Sequence, residues 1–295
     1  MNLASRLKRA QTQAEQFLRD EGITKLPVDV MQIAEGRGIL VQGKPDTAPG
    51  VSGMLVRAGD EFGILYATDI KSPGFQRFSI AHELGHYLLE GHVDHILPKN
   101  GEHVSQAGFT SADPFELEAD HFAASLLMPS TLFQAELRKV EDGLEAIETL
   151  SRECMTSLTA TAIRYAELTR AAAAVIVTTG QHVDYCRLSD NIKSLKGLHW
   201  LKKGTAVPTQ TETARFNASP NLIARAERSA AEIDLRTWLG GDRRVNALEE
   251  VIGLGTYGRT LTVLTCPGIE DEVYGYDDDD DDERLNESWT PRFRR

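Results

Sequence analysis

His82, Glu83 and His86 stand in the order His-Glu-x-x-His, in a stretch where Phe78, Ala81, Leu84, Gly85 and Leu88 recur at helical spacing. Residues four apart on an α-helix lie on one face, about 6 Å apart along the axis, so both imidazoles reach toward one metal ion. Glu83, rotated by about 100° from His82, does not easily join that coordination set. It can instead take a proton from the water that a metal would activate. The chemistry implied is metal-assisted hydrolysis with Glu83 as general base. The plain alternative is a half-exposed helix face with two polar histidines and a solvated carboxylate, against which the apolar setting counts. Catalysis also requires a third ligand.

Downstream runs Glu116-Leu117-Glu118-Ala119-Asp120 in a second strongly apolar helix, predicted over 114–128, with Asp113 and Pro114 as cap and first-turn residue and Pro129 as stop. Glu116 and Asp120 share a helical face with Ala119, Ala123 and Leu127, so this carboxylate pair points coreward. A buried carboxylate needs a partner, which a metal would supply for Glu116. Asp120 can take the second ring nitrogen of a ligand histidine, although a backbone amide would serve it equally. Asp113 and Glu116 also have the spacing of a capping box, a competing role for Glu116. Glu118 projects about 200° away and is the poorer ligand candidate. Gly85, which costs a helix about 1 kcal/mol relative to alanine, makes sense if the second helix packs closely on it through Ala119, Ala123 and Ala124. His92, His95 and His103 fall in a segment read as a loop, 91–112, where the plain reading is solvated side chains and the alternative is that they approach the metal or line the cleft. Tyr87 reads as a packing residue, with donation to an oxyanion as its alternative.

The elements that must position these groups follow from periodicity and punctuation. Helices are predicted over 3–21 and 27–35, a strand over 39–42, and a hairpin from 51–57 and 62–68. The motif helix spans 76–90, and helices continue over 130–141, 144–153 and 157–170. Strands follow at 173–179, 183–188 and 261–265. The expected organisation is a first domain over 1–130, a helical segment over 131–170, a C-terminal α/β domain over 171–270, and an acidic low-complexity tail over 271–295.

Composition restricts the function classes. The 295 residues carry 44 acidic and 32 basic side chains, a net charge of −12, and seven of the acids lie in one run from Asp277 to Glu283. No basic stripe suited to duplex phosphates dominates, so direct nucleic-acid binding is not expected. Cys154, Cys186 and Cys266 are odd in number, far apart and form no CxxC pair, which suits a reducing cytoplasm better than a disulfide framework. No apolar run approaches the roughly 20 residues of a membrane span, and the first residues read as an amphipathic helix rather than a signal peptide.

The run Phe78 to Glu90, followed by Glu116 to Pro129, resembles the ImmA/IrrE family of metallopeptidases, and Pro27 to Ala34 with Ser52-Gly53 fit the same pattern. The resemblance covers about 27–170. It implies an α+β chain with a zincin-like domain of the gluzincin kind, in which His82, His86 and Glu116 hold zinc, with manganese as the cellular alternative. It further implies cleavage of a helix-turn-helix repressor in a stress response or mobile element. The segment from Leu150 to Leu168 would be helix-turn-helix-like, with Arg164 as the one base of its second helix, and the C-terminal domain a GAF-like sensor. Strand residues 51–57 would align an extended substrate by strand addition. A regulatory DNA- or repressor-binding protein with a non-catalytic metal is the competing reading. Three ligands and an open position favour catalysis, since structural zinc sites usually have four and lean on cysteine.

Overall fold

The computed structural model describes residues 2–45, 50–97, 100–106 and 113–269. The acidic tail lies outside them.

Helix α1 (Leu3–Asp20) is capped by Asn2, whose side chain accepts from the Ser5 amide, and buries Leu7, Ala10, Ala14 and Leu18 at helical spacing. Helix α2 (Val30–Gly36) starts later than Pro27, because Asp29 accepts from the Met31 and Gln32 amides and sets the first turn there. Strands β1 (Leu40–Lys44), β2 (Val51–Ala58) and β3 (Glu61–Ala67) lead to α3 (Pro73–Leu88), which carries the motif and begins three residues before the predicted start because Ser72 caps it and Pro73 opens it.

The predicted loop 91–112 instead holds α4 (His92–Ile96) and strand β4 (Asn100–Gln106). β4 lacks the apolar alternation that marks a strand; pairing with β2 makes it one. The sheet order is β1-β3-β2-β4, with β1 parallel to β3 and the other pairs antiparallel. Helix α3 packs against β2 and β3 on one side and against α5 (Pro114–Leu127) on the other, while α1 lies along α5.

Helices α6 (Ser130–Leu137), α7 (Leu144–Cys154) and α8 (Leu158–Leu168) follow. Beyond them come β5 (Ala172–Thr179), β6 (His182–Leu188), α9 (Asp190–Lys193), α10 (Glu212–Asn217), α11 (Pro220–Ala224), β7 (Arg228–Asp234), α12 (Arg236–Leu239), β8 (Asn246–Gly253) and β9 (Arg259–Cys266). The molecule is thus mixed α+β, with a β-rich second part. Its five strands form an antiparallel sheet in the order β6-β5-β9-β8-β7.

Alternate residues of β5 serve two cores. Ala173, Val175 and Val177 join the large core that also contains Ile147, Ile163 and Tyr165 of α7 and α8, whereas Ala172, Ala174 and Ile176 pack with Trp238 and Leu239. That is why the run is apolar on both faces. Helices α7 and α8 do form a short-turn pair, but α8 is interior. Arg164 donates to the Met128 carbonyl at 3.0 Å, to Ser130 Oγ at 3.0 Å and to Glu167 at 3.3 Å. The helix read as a recognition helix therefore has its one base committed inside the protein.

Candidate metal centre

Helix α3 places His82, Glu83 and His86 in the interior, at 2%, 0% and 0% exposure. Helix α5 brings Glu116 from its first turn. Among the described residues, His82, His86 and Glu116 form a group whose donor atoms all lie within 4.8 Å of one another. His82 Nε2 and His86 Nε2 are 3.1 Å apart, and the Glu116 oxygens lie 3.4 Å from the first and 3.2 Å from the second. Two ligands, each about 2.0–2.1 Å from a tetrahedral zinc, are separated by about 3.3 Å. The observed spacings are of that size.

The other nitrogen of His82, Nδ1, is 2.8 Å from Asp120 Oδ1. A ring that donates there presents a lone pair at Nε2. Lone pairs and a carboxylate converging in a buried space repel unless a positive charge is shared among them, so the donor set fits a divalent cation. The titration pattern agrees. Burial opposes charge on His82, but Asp120 and Glu116 outweigh it and hold its pKa well above the usual histidine value. Burial lowers His86 to about 3. Burial would raise Glu116, yet His103, His82 and His86 hold it far below the usual carboxylate range. These directions favour positive charge among the donors.

Both oxygens of Glu83 are buried and meet no hydrogen-bond donor at good geometry among the described residues, although the Ser105 hydroxyl lies close enough to favour the ionised form. Burial raises its pKa, with His82 countering in part. The room for this carboxylate comes from Gly53 on β2, where a Cβ would sit 2.6 Å from Glu83 Oε1. Gly85 has the corresponding role between the helices: a Cβ there would meet Phe122 Cδ1 at 3.2 Å and the Ala119 backbone at 3.3 Å.

Residues 34–165 match the model of the IrrE N-terminal-like domain. Over these residues, under half of the chain, the sequence is similar to the ImmA/IrrE metallopeptidase family. The IrrE-like domain so defined runs from within α2 into α8, so α1 and the five-stranded sheet lie outside it. No curated protein matches the chain. A solved Mycobacterium tuberculosis transcriptional regulator is similar in fold, with a TM-score of 0.53 at 16% identity over 90% of this chain and 82% of that one.

Around the IrrE-like centre, two histidines read as loop residues take other places. His92 is 2% exposed, with Nδ1 3.2 Å from His86 Nδ1 and Nε2 3.0 Å from Glu118 Oε2. His103, on β4, has Nε2 2.9 Å from Glu116 Oε1. Neither has a spacing signal, because both depend on elements hidden in a polar stretch. Glu118 faces away from the cluster, bound to Arg6 by two hydrogen bonds of 2.7 and 2.9 Å. Tyr87 packs edge-on against Phe62, with centroids 5.0 Å apart, and His95 stacks on Phe115.

Proposed function

We propose that the chain is a metal-dependent endopeptidase that cuts an extended segment of a helix-turn-helix repressor, in the cytoplasm, as part of a stress response or mobile-element control. The observation that carries this reading is Glu83, a buried carboxylate that meets no hydrogen-bond donor at good geometry among the described residues, beside three converging metal donors. His82, His86 and Glu116 would hold the ion, zinc by preference with manganese as the cellular alternative, and Asp120 would orient His82. A zinc ion held there would supply Lewis acidity toward the carbonyl and lower the pKa of the attacking water. Glu83 takes the proton of that water and returns it to the departing amine nitrogen. Its burial, which raises its affinity for a proton, suits both steps. His103, whose Nε2 lies 2.9 Å from Glu116 Oε1, would hold that carboxylate in place for the ion.

Strand addition must be reassigned. β2 is paired on both sides, with β3 and β4, so residues 51–57 have no free edge. Among the described residues the open edge nearest the centre is β4, and an extended substrate would lie along it. The five-stranded sheet, GAF-like in this role, would pass a signal through the helices that share its core. The competing DNA-binding reading loses its main support with the burial of α8 and Arg164. No described helix is long and apolar enough to cross a membrane.

The test is incubation of the purified, zinc-loaded chain with the repressor encoded beside it. Cleavage is expected, abolished by a chelator and by Glu83→Gln, which should keep the metal and lose about 100 to 10,000-fold in rate. Unchanged cleavage by Glu83→Gln overturns the assignment of the base. Metal loss in that variant would make Glu83 a ligand.

A further inference from the structure

The two ligand histidines are held from behind in different ways. His82 reaches a carboxylate directly, Asp120 at 2.8 Å. His86 reaches one through an intermediary: its Nδ1 lies 3.2 Å from His92 Nδ1, and His92 Nε2 lies 3.0 Å from Glu118 Oε2. Glu118 in turn accepts two hydrogen bonds from Arg6, at 2.7 and 2.9 Å.

The direction of this chain follows from what each group can do. A carboxylate engaged by a guanidinium fork is ionised and accepts only. His92 must therefore donate from Nε2, which leaves a lone pair on its Nδ1. That lone pair requires the proton of His86 to sit on Nδ1, so His86 Nε2 bears a lone pair and faces Glu116 and His82. Every link agrees with the next, and the end product is the tautomer a metal ligand needs. His92 has no freedom to turn away. It is buried, and the ring of Phe115 meets it edge-on at 4.9 Å while Arg6 lies over that same ring at 4.9 Å.

We propose that His92 is the positioning residue for His86, held by Glu118 and Arg6, so that the N-terminal helix α1 is part of the metal centre although it lies outside the matched residues 34–165. This rests on the reading of His86 as a ligand. Arg6 and Glu118 would belong to α1 and α5 for the metal's sake as well as for packing. A metal ligand that loses such an outer partner typically binds its ion about 10 to 100-fold more weakly.

The experiment measures zinc affinity of the full chain by competition with a chelating dye, and the melting temperature of the metal-free form alongside. His92→Phe keeps the ring and removes both nitrogens, and about 10 to 100-fold weaker binding is expected. Arg6→Gln, on a partly exposed side chain, should weaken binding by a smaller factor and shift the visible absorption bands of the Co2+-loaded chain. A role confined to packing would lower the metal-free melting temperature and leave zinc affinity and the Co2+ spectrum as in the wild type, which overturns the proposal. If His92→Phe does not fold, Arg6→Gln decides by the same two readouts. Failure of the wild-type chain to bind zinc at all overturns the functional reading and the relay together; wild-type binding with unchanged variants overturns the relay alone.

Discussion

Gly53→Ala probes whether β2 sets the position of Glu83, the proposed general base. Gly53 does not have a positive φ, so the strand backbone accepts alanine and the effect arises from the added methyl alone. That methyl would lie 2.6 Å from Glu83 Oε1, 3.2 Å from its Cγ and 3.3 Å from its Cδ. Relief to 3.0–3.4 Å requires the carboxylate to move by about 0.4–0.8 Å. Misplacing a reacting group by about 1 Å costs on the order of 100-fold, so a 10 to 100-fold fall in turnover is expected. The three atoms nearest to the methyl all belong to Glu83, so zinc content should stay at one per chain. The assay is repressor cleavage followed by gel densitometry, with metal analysis on the same sample. The variant should lie between the wild type and Glu83→Gln, and the double variant should be no slower than Glu83→Gln, because a base already removed cannot be displaced. Wild-type turnover in metal-loaded Gly53→Ala would refute the placement of Glu83. Additive losses in the double variant would show that Gly53 acts through another group.

Comparison of Glu116→Gln with Glu118→Gln separates ligand from support: the first should strip the metal, the second only weaken it, and complete loss in Glu118→Gln alone would reverse the roles. Gly85→Ala adds about 1 kcal/mol of helix propensity but overpacks α3 against Phe122 and Ala119 at a cost of about 1–3 kcal/mol, so a net loss in urea melts is expected and a gain would contradict the close packing. Glu167 sits between Arg187 at 2.6 Å and Arg164 at 3.3 Å; burial alone would raise its pKa, but these cations hold it below the usual carboxylate value. A depressed carboxylate contributes stability that is present above its unfolded pKa and lost as pH falls through the folded one. Glu167→Gln should therefore cost about 3 kcal/mol at neutral pH and progressively less below about pH 4, whereas a pH-independent gap would sink the account.

The parts of this protein legible from sequence are those governed by local geometry. Histidines four apart fall on one helical face whatever surrounds them, and the apolar spacing around His82 and Glu116 marks both helices before any contact is known. The close fit of Gly85 to Ala119 was readable for the same reason, since small residues at helical spacing mark where two helices can approach, whereas the contact of Gly85 with Phe122 was not. What the tertiary structure alone decided involves partners brought together from distant points in the chain. Arg6 and Glu118 are 112 residues apart, and His92 and Glu118 are 26 apart, with no periodicity linking them. β4 is a strand because β2 supplies its hydrogen bonds, so a polar stretch with His103 in it carries no sign of its own pairing. The burial of α8 likewise depends on a sheet whose strands are gathered from residues 172 to 266, and Arg164 is held by Met128 and Ser130, 36 and 34 residues away. Intrinsic pattern determines which face of an element is apolar; packing determines which polar groups end up facing each other across it.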